Sequence, residues 1–182
     1  MKKKRPKIPP KELRELWAQI PDMKNCLGAC ERSCGPIGCS SMEKKLMEDR
    51  AGRKLGTTGK DAAERCNMLV NGLCSVYSIR PSICRLWGVV PSLRCPYGCI
   101  PERELTDREG YGIMAEAMAL AGDADGHDMQ ELIRAATPEF WQKLKEHAGG
   151  APDLGGSIVA SRRPAAKALY EAAAEIRNRV VD

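Results

Sequence analysis

Residues 66–99 read CNMLVNGLCSVYSIRPSICRLWGVVPSLRCPYGC, a segment with five cysteines and little else of chemical consequence. Asn71-Gly72 sits between the short runs 66–70 and 73–77 and suits a two-residue type I′ turn, which predicts a β-hairpin. In an ideal hairpin Cys74 faces Leu69 and Cys66 faces Tyr77, so the two thiols lie on opposite faces. Either metal distorts the hairpin or the two serve different sites. Arg80-Pro81 then opens a short helix through Cys84 and Trp87, with Pro81 at the first helical position. Cys95-Pro-Tyr-Gly-Cys99 closes as a tight loop that brings two thiols within reach of one ion.

Upstream, CLGACERSCGPIGC spans 26–39. A helix over 25–34 would set Cys26, Cys30 and Cys34 on one face, one turn apart, before the Gly35-Pro36 turn. All nine cysteines of the 182-residue chain lie between Cys26 and Cys99. The gaps are Cx3C, Cx3C and Cx4C, then a long break from Cys39 to Cys66, then Cx7C, Cx9C, Cx10C and Cx3C. CxxC, the clamp of zinc ribbons and of thioredoxin-type redox sites, is absent. The N-terminus lacks the apolar stretch of a secretory signal, and no apolar run is long enough to span a bilayer. A cytoplasmic location without membrane contact is therefore expected. There, clustered cysteine reads as metal binding or redox chemistry and not as a disulfide scaffold, and the odd total argues against complete pairing. Arg32, Arg80, Arg85 and Arg94 stand close in sequence to the thiols and can favour their thiolate forms.

The elements CLGACERSCGPI at 26–37, CNMLVNGLCSVYSIRPSICRLWGVV at 66–90 and RCPYGC at 94–99 resemble, in this order, the YkgJ-like cysteine-cluster family. That family is described as a zinc- or iron-chelating domain with a CxxCxxCC-type signature. The resemblance covers about residues 20–100 and brings no defined reaction with it. It departs where many members have adjacent cysteines: this chain has Ser33-Cys34, so one thiolate is lost, replaced by the Ser33 oxygen, or supplied by Cys39. Confinement to one segment and the family pattern together give Cys26, Cys30, Cys34, Cys66, Cys74, Cys84, Cys95 and Cys99 as metal ligands, with Cys39 as the spare. All-cysteine ligation admits zinc or an iron–sulfur cluster, and the irregular spacings lean towards the cluster.

Charge divides the chain where the cysteines end. Residues 1–100 carry 19 Lys+Arg against 9 Asp+Glu, whereas 101–182 carry 10 against 15. Three regions are expected: a basic arm and short helix over 1–19, a cysteine-cluster metal-binding module over 20–100, and a helical region over 101–182. The arm, with Lys2, Lys3, Lys4, Arg5, Lys7 and Lys11, offers contact to nucleic acid or to an acidic protein. Lys11 to Ile20 reads as a helix with Leu13, Trp17 and Ile20 on one face, stopped by Pro21. Ser40 to Glu43 forms a capping box for a helix reaching about Arg50, and 51–60 reads as a loop. Thr106 to Glu109 is a second capping box, opening a helix with Ile113, Met114, Ala117 and Met118, and further helices are expected over 128–135, from Thr137-Pro138 to Gly149-Gly150, and over 164–180.

The fold class is thus mainly α with a small irregular β-hairpin: a metal-stapled N-terminal half and a helical C-terminal half. The staples are expected because Trp17 and Trp87 are the only large anchors near 20–100. His127 and His147 stand outside the cysteine region, and no catalytic constellation can be assembled. Gly122 to Asp128 resembles a calcium loop but lacks its Gly and Glu. Gly59-Lys60 likewise fails as a phosphate loop. The leading reading is a metal-binding protein of undefined activity. The alternatives are a zinc-stapled interaction module working through the basic arm, and an iron–sulfur redox enzyme or its accessory.

Overall fold

The computed structural model describes residues 8–24, 34–35, 37–58, 65–95 and 97–142. Five helices carry the described part: α1 (Lys11–Trp17), α2 (Ser41–Ala51), α3 (Ser82–Leu86), α4 (Asp107–Leu120) and α5 (Ala124–Ala135). Six strands of two residues each form three antiparallel pairs. Strand β1 (Met23–Lys24) pairs with β6 (Ile100–Pro101), β2 (Thr57–Thr58) with β3 (Arg65–Cys66), and β4 (Leu69–Val70) with β5 (Leu73–Cys74). The architecture is mainly α with a small amount of antiparallel β. The first of these pairs sets Met23 against Pro101 and Lys24 against Ile100, and Glu102 N–H continues it to the Asp22 carbonyl at 2.9 Å. It ties together the two ends of the stretch that holds every cysteine.

Both capping boxes form. Ser40 Oγ accepts from Glu43 N–H at 3.2 Å while Glu43 reaches back to Ser40 N–H at 3.1 Å. Thr106 and Glu109 repeat the exchange at the head of α4. Each returns two opening amides to hydrogen-bonded partners. Helix α2 ends on Gly52 in the left-handed region at φ 66°, where a side chain would be strained.

The Asn71-Gly72 turn also forms, with positive φ at both residues (51° and 80°), and Leu69 faces Cys74 as expected. The hairpin stops there. Cys66 does not face Tyr77; it pairs with Thr57 in β2, inside the stretch expected to be a loop. Two further boundaries differ. Pro81 is the N-cap of α3 and not its first residue. Helix α5 begins at Ala124, earlier than 128, because Gly126 carries no side chain to hold it off α4. A Cβ on Gly126 would lie 2.5 Å from Ala119 N and 2.8 Å from Met118 C. The helix expected after Thr137 is present over 138–142, and its remainder, the 164–180 helix and residues 1–7 of the basic arm lie outside the described residues.

One cluster of buried side chains joins α1, α2, α3 and α4: Leu13, Leu16 and Trp17 meet Leu46, Met47, Leu86, Ile113 and Ala117. Burying each of the larger aliphatic chains stabilises by about 1.5–3 kcal/mol. Met68, Val76, Ile79, Val89 and Val90 extend the cluster through the cysteine segment, so that segment carries more core than its aromatics suggest. Its packing is aliphatic, and Trp87 is only half-buried. A smaller cluster of Tyr111, Ala115 and Ile133 binds α4 to α5, with Trp141 stacked on Tyr111 at 6.1 Å.

At the centre is Glu43, which is 1% exposed. Five donors among the described residues converge on its carboxyl. Oε1 accepts from Trp17 Nε1 (3.0 Å), Ser82 N (2.7 Å) and Ser82 Oγ (2.6 Å), and Oε2 from Ser40 N (3.1 Å) and Ser40 Oγ (3.0 Å). A carboxyl that only accepts suits a site lined only by donors. Glu43→Ala would leave those buried donors without their acceptor. An expected loss of about 3–5 kcal/mol follows, read as a fall in the urea midpoint at constant m-value.

Two of the glycines in the α4–α5 region give a second expectation. Gly126→Ala forces the helix backbones apart and should cost about 1–3 kcal/mol. Gly112→Ala, whose Cβ meets nothing within 4 Å, should gain up to about 1 kcal/mol from helix propensity. Paired denaturation curves should therefore shift in opposite directions.

Candidate metal centre

The expected ligands fall at distinct places in this framework. Cys26 and Cys30 lie outside the described residues. Cys34 is half-buried and not helical, and its carbonyl accepts the Cys66 amide at 3.1 Å. Cys66 ends β3 and, like Cys74 at the end of β5, packs against the main core. Cys84 is in the single turn of α3, with its amide bonded to the Pro81 carbonyl at 2.9 Å. Cys95 and Cys99 flank a turn closed by Gly98 N–H on the Cys95 carbonyl at 3.2 Å, with Gly98 at φ 75°. The seven described cysteines are thiols and all are half-buried. Among the described residues, no group of three or more His, Cys, Asp or Glu side chains is gathered closely enough to hold a metal ion.

The structure does bring Cys39 to Cys66. Both residues line a cavity of about 290 Å³, together with Ile37, Lys44 and Leu55. Cys39 reaches it because α2 is capped immediately after it, which turns residue 39 inward beside the first helical turn. Burial pushes the Cys39 thiol up to about 12, and the negative charges of Glu43, Asp123 and Cys66 add to burial while Lys44 opposes them. Sequence reasoning identified Cys39 as a spare thiol but had no means of placing it, since Cys66 is brought in by the non-local β2–β3 pair.

The arginines near the cysteines are engaged with other groups. Arg85 Nε donates to the Arg80 carbonyl and Nη2 to the Ser78 carbonyl, both at 2.9 Å, and its guanidinium lies 4.2 Å over the Trp17 ring. Burial holds its pKa below the ordinary guanidinium value, with Arg80 acting the same way and Glu43 and Cys84 opposing. Arg80 lies 4.1 Å over the exposed Tyr77 ring, and Arg94 forms an exposed pair with Glu104 at 3.7 Å. Arg32 lies outside the described residues. Lys11, the described end of the basic arm, pairs with Glu15 at 3.5 Å on the exposed face of α1. His127 is exposed, and no described helix is long and apolar enough to cross a membrane.

The chain matches no family model, no curated protein and no solved structure.

The raised Cys39 value has a definite sign. The folded state binds this proton more tightly than the unfolded state, so the thiol adds stability fully below its ordinary value of 9.0 and loses it as pH rises from there towards 12. Wild-type protein should therefore lose stability more steeply than Cys39→Ser between pH 9 and 11, measured by urea midpoints at each pH. At pH 7.5 Cys39 should react with iodoacetamide more slowly than free cysteine does, read by mass spectrometry of quenched time points.

Proposed function

We propose that this chain is a metal-binding cysteine-cluster protein that holds zinc or an iron–sulfur cluster through Cys26, Cys30, Cys34, Cys66, Cys74, Cys84, Cys95 and Cys99. The observation that carries the reading is the cysteine distribution: nine in one segment, none elsewhere, and the seven described ones present as thiols. Soft thiolates in this number suit both metals. The ordered elements that resemble the YkgJ-like family support the same reading. So does the β1–β6 pair, which closes the cysteine-bearing stretch at its two ends.

Among the described residues the thiols do not gather in threes or more, and the reading joins them by coupling. Metal sites rarely exist before the metal arrives, so drawing the thiols together and ordering their segment become one step. The thiols lose their protons as they ligate, which makes metal uptake stronger as pH rises. The chain's residues supply the ligands and the frame; the metal supplies the cross-link.

Anaerobic purification followed by elemental analysis and an absorption spectrum tests this. Stoichiometric zinc in a colourless protein, or iron with sulfide in a brown one, is expected, and Cys84→Ser should lower the content and the stability together. Content below about half an equivalent in the wild-type protein would overturn the reading, since structural sites hold metal tightly.

A further inference from the structure

Residues 65–101 contain four arginines and neither Asp nor Glu. Five of the seven large hydrophobic side chains that stand exposed among the described residues fall in this same acid-free stretch. Three of the five lie close along the chain. Val70 and Leu73 pair across the β4–β5 hairpin and point to its outer face, while Cys74 beside them packs on the core. Leu73 is 71% exposed, at a position where a hairpin with one solvated face ordinarily sets a polar residue. Exposure then alternates onward: Ser75 and Tyr77 face out, whereas Cys74 is half-buried and Val76 is buried. Two guanidinium groups border this edge. Arg53 Nη2 donates to Ser75 Oγ at 3.5 Å, and Arg80 lies 4.1 Å over the Tyr77 ring. Among the described residues neither arginine is paired with a carboxylate.

We infer that this face, Val70, Leu73 and Tyr77 bordered by Arg53 and Arg80, docks an acidic protein segment that carries apolar side chains among its carboxylates. Charge of a single sign selects an anionic partner and repels a basic one. Adjoining aliphatic groups with Tyr and Arg beside them supply the composition of a protein contact. Nucleic acid suits the face less, because single strands bind by stacking on open rings and Arg80 already covers one side of Tyr77. A bilayer suits it less too, since the polar Asn71 at the hairpin tip, between Val70 and Leu73, would have to enter first. No metal takes part in the contact.

Fluorescence anisotropy of the full chain with a labelled peptide of mixed Glu and Leu tests this, against an all-Glu peptide of equal length. The all-Glu peptide measures what charge alone binds, including charge on the N-terminal arm. The mixed peptide should bind about tenfold more tightly, the worth of one partly buried leucine. Leu73→Ser should remove most of that advantage. Arg53→Gln should weaken the mixed peptide by about three- to tenfold, and less at high salt. Arg53 is exposed, so this variant tests the face even where Leu73→Ser fails to fold. Equal binding of the two peptides, or mixed-peptide binding unchanged in both variants, would overturn the inference. So would single-stranded DNA or phosphatidylserine vesicles whose binding falls in these variants when the peptide's does not.

Discussion

A buried carboxyl group sets the terms for this structure. Removing an acidic side chain from water is expensive, and the cost is met only where fixed donors replace the lost hydration. Glu43 collects those donors from three helices: its own N-cap at Ser40, the Trp17 indole of α1, and the first amide and hydroxyl of α3 at Ser82. The three helices cannot shift independently without stranding one of these groups. Arg85 adds a cation on the face of the same indole, so charge of both signs is balanced across one ring. Leu13, Leu16 and Met47 then pack around an arrangement whose angles the polar contacts already restrict.

The same device recurs where elements are short. Strands of two residues and helices of five to fourteen have many ends for their length, and every helix start exposes unpaired amides. Carboxylates from elsewhere in the chain meet them. Asp123 precedes α5, yet its Oδ2 accepts from Ser41 N–H, the first amide of α2, at 2.8 Å. Asp107 opens α4 yet accepts from Ser92 N–H at 2.9 Å, in the 3-10 turn Pro91–Leu93. Ser92 Oγ and Tyr111 OH complete that contact at 3.1 Å. The Gly122 to Asp128 stretch, with its calcium-like spacing, is thus a turn at Gly122 running into the first residues of α5, and its first acid, Asp123, caps a neighbouring helix.

What could be read in the sequence was local. Ser40 with Glu43, Thr106 with Glu109, and Asn71 with Gly72 each act over three residues or fewer, and each formed as its chemistry required. The same spacing hid the greater role of Glu43, because a capping box carries no mark of a partner 39 residues away. Cys66 was misplaced for a related reason. Its hairpin register followed from the Asn-Gly turn, but after two pairs the chain leaves that ladder and takes Thr57 as partner, a choice made by packing. Cys39 could be singled out by its position beyond Gly35-Pro36, yet its companionship with Cys66 depends on that same strand exchange. The aliphatic core through 68–90 was underestimated because aromatic content was taken as its measure.

The separation of Glu43 from its partners also orders events in time. Ser40 lies three residues away and can satisfy one oxygen as soon as the first turn of α2 forms. Trp17 lies 26 residues off and Ser82 lies 39, while the indole and the Ser82 hydroxyl are 65 apart. Closing loops of that size costs entropy before any contact repays it. On a growing chain, α1 and α2 emerge well before Ser82, and until it arrives Oε1 lacks two of its three donors. The interior around Glu43 therefore cannot dry until the chain has passed the third helix, which makes α3, only five residues long, the element that seals the core.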